Sequence, residues 1–257
     1  MTTVVKTAML ASTMHLVKRK VGVFSRRQLP RFLSSLRPIL ISIEGNVGAG
    51  KSTLIEELKR RNKNWNFIDE PVDVWSSIKN EDEESLLSVY YKDPKRWSFS
   101  FQSCALLSRF QNIEKAMRSV TIQEHLCKDE HSPVFITERC LDTDYHVFAK
   151  MLRDKGLIDT LEFGIYRRLY DFLRSSMTIP LTAIIHVDTN PHDCLERIKL
   201  RNRTGESELS VVYLQSIEQC QSDWMSSLQD VSILHTGSSS TADISRIEAF
   251  VNSQLVP

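Results

Sequence analysis

Apolar residues in this chain gather into five short runs, at 39–43, 65–71, 133–139, 181–187 and 231–235. Runs of this length read as strands buried on both faces. Between them lie longer stretches whose apolar positions recur at helical spacing. In the stretch 97–117 these are Phe101, Leu106, Phe110, Ile113 and Met117. Helices are also predicted over 54–63, 142–152, 157–177, 209–228 and 242–255. One more starts at Thr189-Asn190-Pro191, a cap followed by Pro at the first helical position. Strands alternating with helices predict an α/β fold: a five-stranded parallel sheet with helices on both faces, in one domain spanning 38–257.

The first strand runs directly into Gly45-Asn46-Val47-Gly48-Ala49-Gly50-Lys51-Ser52-Thr53, and a helix follows. Strand, Gly-rich loop, Gly-Lys-Ser and helix is the order a phosphate-binding P-loop requires. The glycines let the backbone turn its N–H groups inward, and the helix aims its positive end at the same anion. Lys51 can reach the β- and γ-phosphates, and the Ser52 hydroxyl can ligate Mg²⁺. The loop therefore predicts binding of ATP or another nucleoside triphosphate.

In an open α/β sheet, ligands bind beyond the carboxyl ends of the strands. Two predicted strands end there in charge: Asp69-Glu70 and Glu138-Arg139. Glu70 could act as a general base, although a surface acid is the commoner occupant of a strand end. Gln102 and Arg109 are seven residues apart and share one face of an otherwise apolar helix. Asp144 opens the next helix. Arg197, Arg201 and Arg203 lead into Thr204-Gly205-Glu206, an arrangement suited to a phosphate clamp that closes as a lid. A solvated basic helix end is the plainer alternative. His186 stands alone in its strand and reads as a satisfied core histidine rather than a ligand.

Composition narrows the classes. The net charge is +1 over 257 residues, which gives no sign of a nucleic-acid partner. That average conceals an asymmetry: residues 1–37 hold eight Lys or Arg and no acid, so the remainder is −7. A basic, acid-free extension rich in Ser and Thr resembles a mitochondrial or plastid transit peptide, with a disordered basic arm as the alternative. Five scattered cysteines without a Cys-x-x-Cys favour reduced thiols. No apolar run approaches the roughly 20 residues that span a bilayer, so no membrane partner is expected.

Taken together, the motifs resemble the deoxyribonucleoside kinase family, its deoxycytidine and deoxyguanosine kinase-like members in particular. The likeness rests on the loop Gly45–Thr53, Glu70-Pro71-Val72 with Trp75, and Arg96-Trp97-Ser98-Phe99 with Gln102. It continues through Glu138-Arg139, Asp144 and Phe148-Ala149-Lys150 to Arg197, Arg201, Arg203 and Glu206. The resemblance implies a P-loop NTPase-type fold with an Arg-rich lid, and transfer of the γ-phosphate of ATP, with Mg²⁺, to the 5′-hydroxyl of a deoxyribonucleoside. It implies that Glu70 takes the hydroxyl proton, with its pKa lowered by Arg139, and that Lys51 and the lid arginines spread over the phosphoryl group. Ser52 and Glu138 would lie on the metal side. Tyr91 and Glu206 would hold the 3′-hydroxyl, Gln102 would read the base edge, and Trp75, Phe101 and Phe148 would sandwich the base. The Arg109–Asp144 pair favours deoxycytidine or a purine deoxynucleoside over thymidine. A homodimer through the helices at 97–117 and 157–177 is also implied. The sequence departs from the family at Cys140, where Ser is usual, and at Thr204-Gly205, where many members have acids. Two alternatives stay open: a nucleoside monophosphate kinase of thymidylate type, and a non-catalytic accessory subunit.

Overall fold

The computed structural model describes residues 38–127, 132–203, 206–237 and 241–255. The basic segment 1–37, Thr204-Gly205 and Ser238-Ser239-Ser240 lie outside them. Five strands form one parallel sheet: β1 (Ile39–Gly45), β2 (Asn66–Ile68), β3 (Val134–Glu138), β4 (Leu181–Val187) and β5 (Ser232–Thr236). Their spatial order is β2-β3-β1-β4-β5. β1 is central and every residue of it is buried. Its alternate side chains divide between the two faces. Ile39, Ile41 and Ile43 pack in one cluster with Leu54 and Leu58, while Leu40 packs in another with Ile113 and Met117. The centre of the sheet is therefore covered on both sides, as its unbroken apolar runs predict, whereas β5, expected to be buried too, is an edge strand with Ser232 and His235 exposed.

The helices are α1 (Lys51–Arg61), α2 (Val72–Ser77), α3 (Leu86–Lys92), α4 (Pro94–Cys127), α5 (Leu141–Thr143), α6 (Lys150–Asp154), α7 (Thr160–Ser176), α8 (Pro191–Arg201), α9 (Val211–Ser226) and α10 (Thr241–Ser253). α2 and α3 were not predicted, and two other helices differ from expectation. α4 is 34 residues long and starts at Pro94 rather than near Trp97. Pro is tolerated in a first turn, and the Asp93 carboxylate caps it by accepting from the Arg96 N–H at 3.1 Å. The single helix expected over 142–152 is instead α5, a π-helical turn at Asp144–Ala149, and α6. The wider turn sets Asp144 and Phe148 on the same cavity wall. Such turns favour functional sites because they re-aim side chains without ending the helix.

Candidate active site

β1 lies at the switch point of the sheet: β3 and β2 fill one side of it, and after β3 the chain crosses to β4 and β5 on the other. The P-loop emerges there. Gly45, Gly48 and Gly50 have φ of 142°, 80° and 99°. At Gly48 a Cβ atom would lie 2.5 Å from the Cys194 carbonyl oxygen, so α8 packs directly on the loop's backbone. Asn46 braces the loop from behind: its Nδ2 donates to the Leu214 carbonyl and its Oδ1 accepts from the Val47 N–H, both at 2.9 Å. Arg197 Nη1 and Thr189 Oγ1 donate to the Ala49 carbonyl at 2.9 and 3.0 Å. Lys51 Nζ donates to the Asn46 carbonyl at 2.9 Å and lies 3.7 Å from Glu138 Oε1.

A cavity of ≈ 570 Å³ opens above the loop. Of the residues given a catalytic, phosphate-binding, metal-side or acceptor-binding role from the sequence, Gly45, Asn46 and Ala49 support the loop, and the others line this cavity. At one end are Val47, Gly48, Gly50, Lys51, Ser52 and Thr53, with Glu138 and the lid arginines Arg197, Arg201 and Arg203. At the other are Trp75, Tyr91, Phe101, Gln102, Arg109, Asp144 and Phe148. Glu70, Arg139 and Glu206 line it too.

The second end is an aromatic slot. Trp75 meets Phe101 edge-on with centroids 5.3 Å apart, and its Nε1–H donates to Ser108 Oγ at 3.0 Å. Phe148 lies under the Arg139 guanidinium at 4.8 Å. Gln102 is buried among them. Arg109 organises the polar part. Its Nε donates to Asp144 Oδ2 at 2.9 Å, its Nη1 to the Glu138 carbonyl at 2.6 Å and its Nη2 to Glu70 Oε1 at 3.2 Å. Arg139 Nε lies 3.5 Å from the same Glu70 oxygen. Glu70 thus has two guanidinium partners where the sequence suggested one.

Over the residues 41–254 the sequence matches the family model for deoxynucleoside kinase. The chain belongs to the deoxynucleoside kinase family. It is 33% identical to mouse (Mus musculus) deoxycytidine kinase over 199 residues, 72% of this chain and 74% of that one. It is 31% identical to human (Homo sapiens) deoxycytidine kinase over 217 residues, 78% and 81% of the two chains. It is also 31% identical to a mitochondrial deoxyguanosine kinase of Xenopus laevis over 198 residues, 72% of each. As a deoxynucleoside kinase the chain is an enzyme of nucleotide salvage, a phosphotransferase that takes its phosphoryl group from a nucleoside triphosphate and gives it to a deoxynucleoside.

The charges of this deoxynucleoside kinase site are set by burial against pairing. Burial pushes the Glu70 carboxyl up, but Arg109, Arg139 and Lys51 outweigh it and hold the group below its ordinary value. Lys51 is lowered to about 8, first by burial and then by Arg139. Arg109 is buried, yet its two carboxylates raise its pKa. Asp144 shares that guanidinium with Glu70, and burial pushes it up to about 6. Burial also raises the Tyr91 phenol, which stays a neutral donor.

In this deoxynucleoside kinase the arginines expected to form a lid are held by Glu206. Arg201 Nη2 donates to both Glu206 oxygens at 2.7 and 2.8 Å, and Arg203 Nη1 lies 3.5 Å from Glu206 Oε1. Sequence reasoning passed over Glu44, Tyr90 and Tyr213. Glu44 is wholly buried behind the loop, accepts from Ser42 and Thr143, and sits 3.9 Å from Arg139 Nη1. An acid inside a buried strand was the available signal. Tyr90 stacks on Phe101 at 4.4 Å, and its hydroxyl bonds that of Tyr213 at 3.0 Å, joining α3 to α9. Cys140 caps α5 through Thr143, with Sγ···Oγ1 of 3.4 Å. His186 is not alone: His235 and Asp188 lie against it. Cys104, Cys140, Cys194 and Cys220 are free thiols.

Proposed function

We propose that Glu70 takes the proton from the 5′-hydroxyl of a deoxynucleoside as that oxygen attacks the γ-phosphate of ATP or a related triphosphate. The observation that carries this reading is a carboxylate held ionised by two guanidinium groups, lining the same cavity as the P-loop lysine. Ionised, Glu70 can accept a proton. Clamped by Arg109 and Arg139, it is fixed in direction, and positioning supplies much of the rate for a weak alcohol nucleophile. Lys51, Arg197, Arg201 and Arg203 spread positive charge over the transferring group.

Ser52 Oγ donates to the Glu138 carboxylate at 3.0 and 3.2 Å. Beside a triphosphate this all-oxygen pair fits Mg²⁺, with Ser52 as a direct ligand and Glu138 acting directly or through water. When bound, the ion neutralises phosphate charge.

At the acceptor end, Tyr91 and Glu206 hold the 3′-hydroxyl, Gln102 reads the base edge, and Trp75, Phe101 and Phe148 enclose the base. The Arg109–Asp144 pair favours deoxycytidine or a purine deoxynucleoside over thymidine, because it fills the space a thymine methyl would need. A panel of the four deoxynucleosides with ATP and Mg²⁺, run beside dCMP and dTMP, tests the reading. Phosphate transfer to a nucleoside, deoxycytidine or a purine ahead of thymidine, is expected. Transfer to the monophosphates alone would sink it.

Two further readings belong here. The apolar stripe Leu161, Ile165, Leu169 and Phe172 is exposed on α7, with Leu107 exposed on α4, and it supports a homodimer through these helices. Sedimentation should give twice the chain mass, and Ile165→Glu should give the monomer. The basic segment 1–37 reads as a mitochondrial targeting sequence on a kinase domain that begins near residue 38. The mitochondrial relative supports that reading. Fusing residues 1–37 to a fluorescent protein should carry it into mitochondria. No described helix is long and apolar enough to cross a membrane, and neither nucleic acid nor membrane is expected as a partner.

A further inference from the structure

His186 and His235 occupy paired positions on the neighbouring strands β4 and β5. Parallel neighbours about 4.8 Å apart put paired side chains on the same face of the sheet. Asp188 lies two residues beyond His186, so alternation returns it to that face. The two rings stand nearly perpendicular, at 87°, with centroids 5.2 Å apart. Both turn Nδ1 toward one carboxylate: His186 Nδ1 is 2.7 Å from Asp188 Oδ1, and His235 Nδ1 is 3.0 Å from Asp188 Oδ2. The two Nδ1 atoms are 3.4 Å apart.

We propose that His186, Asp188 and His235 bind one divalent transition-metal ion of the zinc type, at a site separate from the kinase cavity. The spacing fits: two nitrogens each about 2.05 Å from a tetrahedral zinc lie roughly 3.3 Å apart. The donor set selects the ion. Two imidazoles with one carboxylate suit zinc, copper or nickel, whereas Mg²⁺ and Ca²⁺ prefer oxygen throughout. Three protein ligands leave a fourth position for water or an exogenous donor. Asp188 and His235 are exposed and His186 is more sheltered, so an ion reaches the site from solvent.

A hydrogen-bonded trio without metal would direct two Nδ1–H groups at a single carboxylate while holding those nitrogens 3.4 Å apart. One cation replaces both protons and uses all three groups. None of the three lines the kinase cavity. They are nonetheless close to the P-loop in the chain's hydrogen-bond pattern. Glu44 pairs with His186 and Gly45 with Val187, and Thr189 donates to the Ala49 carbonyl. An ion here would fix the β4 end that backs the loop.

The test uses the full chain, stripped with chelator and free of Mg²⁺, titrated calorimetrically with Zn²⁺ and spectroscopically with Co²⁺. One saturable equivalent is expected, with visible cobalt d–d bands and no sulfur charge-transfer band. His235→Ala and Asp188→Asn should each weaken binding about tenfold or more, while kinase turnover with Mg²⁺ stays at the wild-type level. If His235→Ala alone melts early, Asp188→Asn decides. Equal affinity in wild type and Asp188→Asn, a sulfur charge-transfer band, or no saturable binding would each overturn the site.

Discussion

Arg109 Nη2 lies 3.2 Å from Glu70 Oε1. The guanidinium that pairs with Asp144 in the aromatic slot therefore also steadies the carboxylate assigned the role of base. On the proposed roles, choice of acceptor and orientation of the base share one side chain.

Glu70→Gln keeps the shape and one oxygen toward Arg109 but cannot take a proton. It should lower kcat by about 10²- to 10⁴-fold while leaving deoxynucleoside binding within a few-fold. Steady-state kinetics with direct binding checks this. Turnover near wild type would remove Glu70 from the mechanism.

The buried Arg109–Asp144 pair predicts strong non-additivity. Arg109→Met alone leaves Asp144 without its guanidinium and Glu70 with Arg139 only, and should destabilise the fold by about 3 kcal/mol. Adding Asp144→Ala should recover part of that loss and shift preference toward thymidine. Denaturant melts of the two singles and the double, with the substrate panel, measure both effects. Additive losses and an unchanged profile would count against the assignment.

Lys51 titrates near pH 8 in the free protein, because burial and Arg139 lower it. A polyphosphate favours its charged form and raises its pKa on binding. Between those two values ATP binding takes up a proton, so affinity falls as pH rises above about 8, at most tenfold per pH unit. Calorimetry at pH 8.5 in buffers of different ionisation enthalpy should report the uptake, and Lys51→Met should abolish it.

Gly48→Ala would press a methyl group against the Cys194 carbonyl at a φ of 80°. Overpacking and the left-handed backbone together should destabilise the fold by about 3 kcal/mol. Because the collision is with α8, which carries Arg197 and Arg201, the KM for ATP should rise more than that for the deoxynucleoside. Melts and two-substrate kinetics check both effects.

Much of this was legible in the chain. Five apolar runs became five parallel strands, since a short apolar run bounded by turn residues marks a strand before its partners are known. The seven-residue spacing of Gln102 and Arg109 did put both in the cavity, because helical periodicity is local. What escaped was set by contacts between distant segments. Arg109 and Glu70 are 39 residues apart, and their bond depends on how α4 crosses the strand ends. His186 could not be paired with His235 until β5 was known to lie beside β4 in register. The π-helical turn at Asp144–Ala149 follows from packing rather than propensity, and nothing in its six residues announces it.

Arg201 and Glu206 hold each other through three contacts of 2.7, 2.8 and 3.1 Å. On the proposed roles one belongs to the donor's phosphate and the other to the acceptor's sugar. Neither can serve its substrate until the pair separates, and whichever substrate comes first does the separating. The second then finds its partner already released. By linkage the favour would be mutual: on those roles donor and acceptor raise each other's affinity by the same factor, so the ion pairs of Glu206 would make the two substrates cooperative across a cavity in which they need touch only at the transferring phosphate.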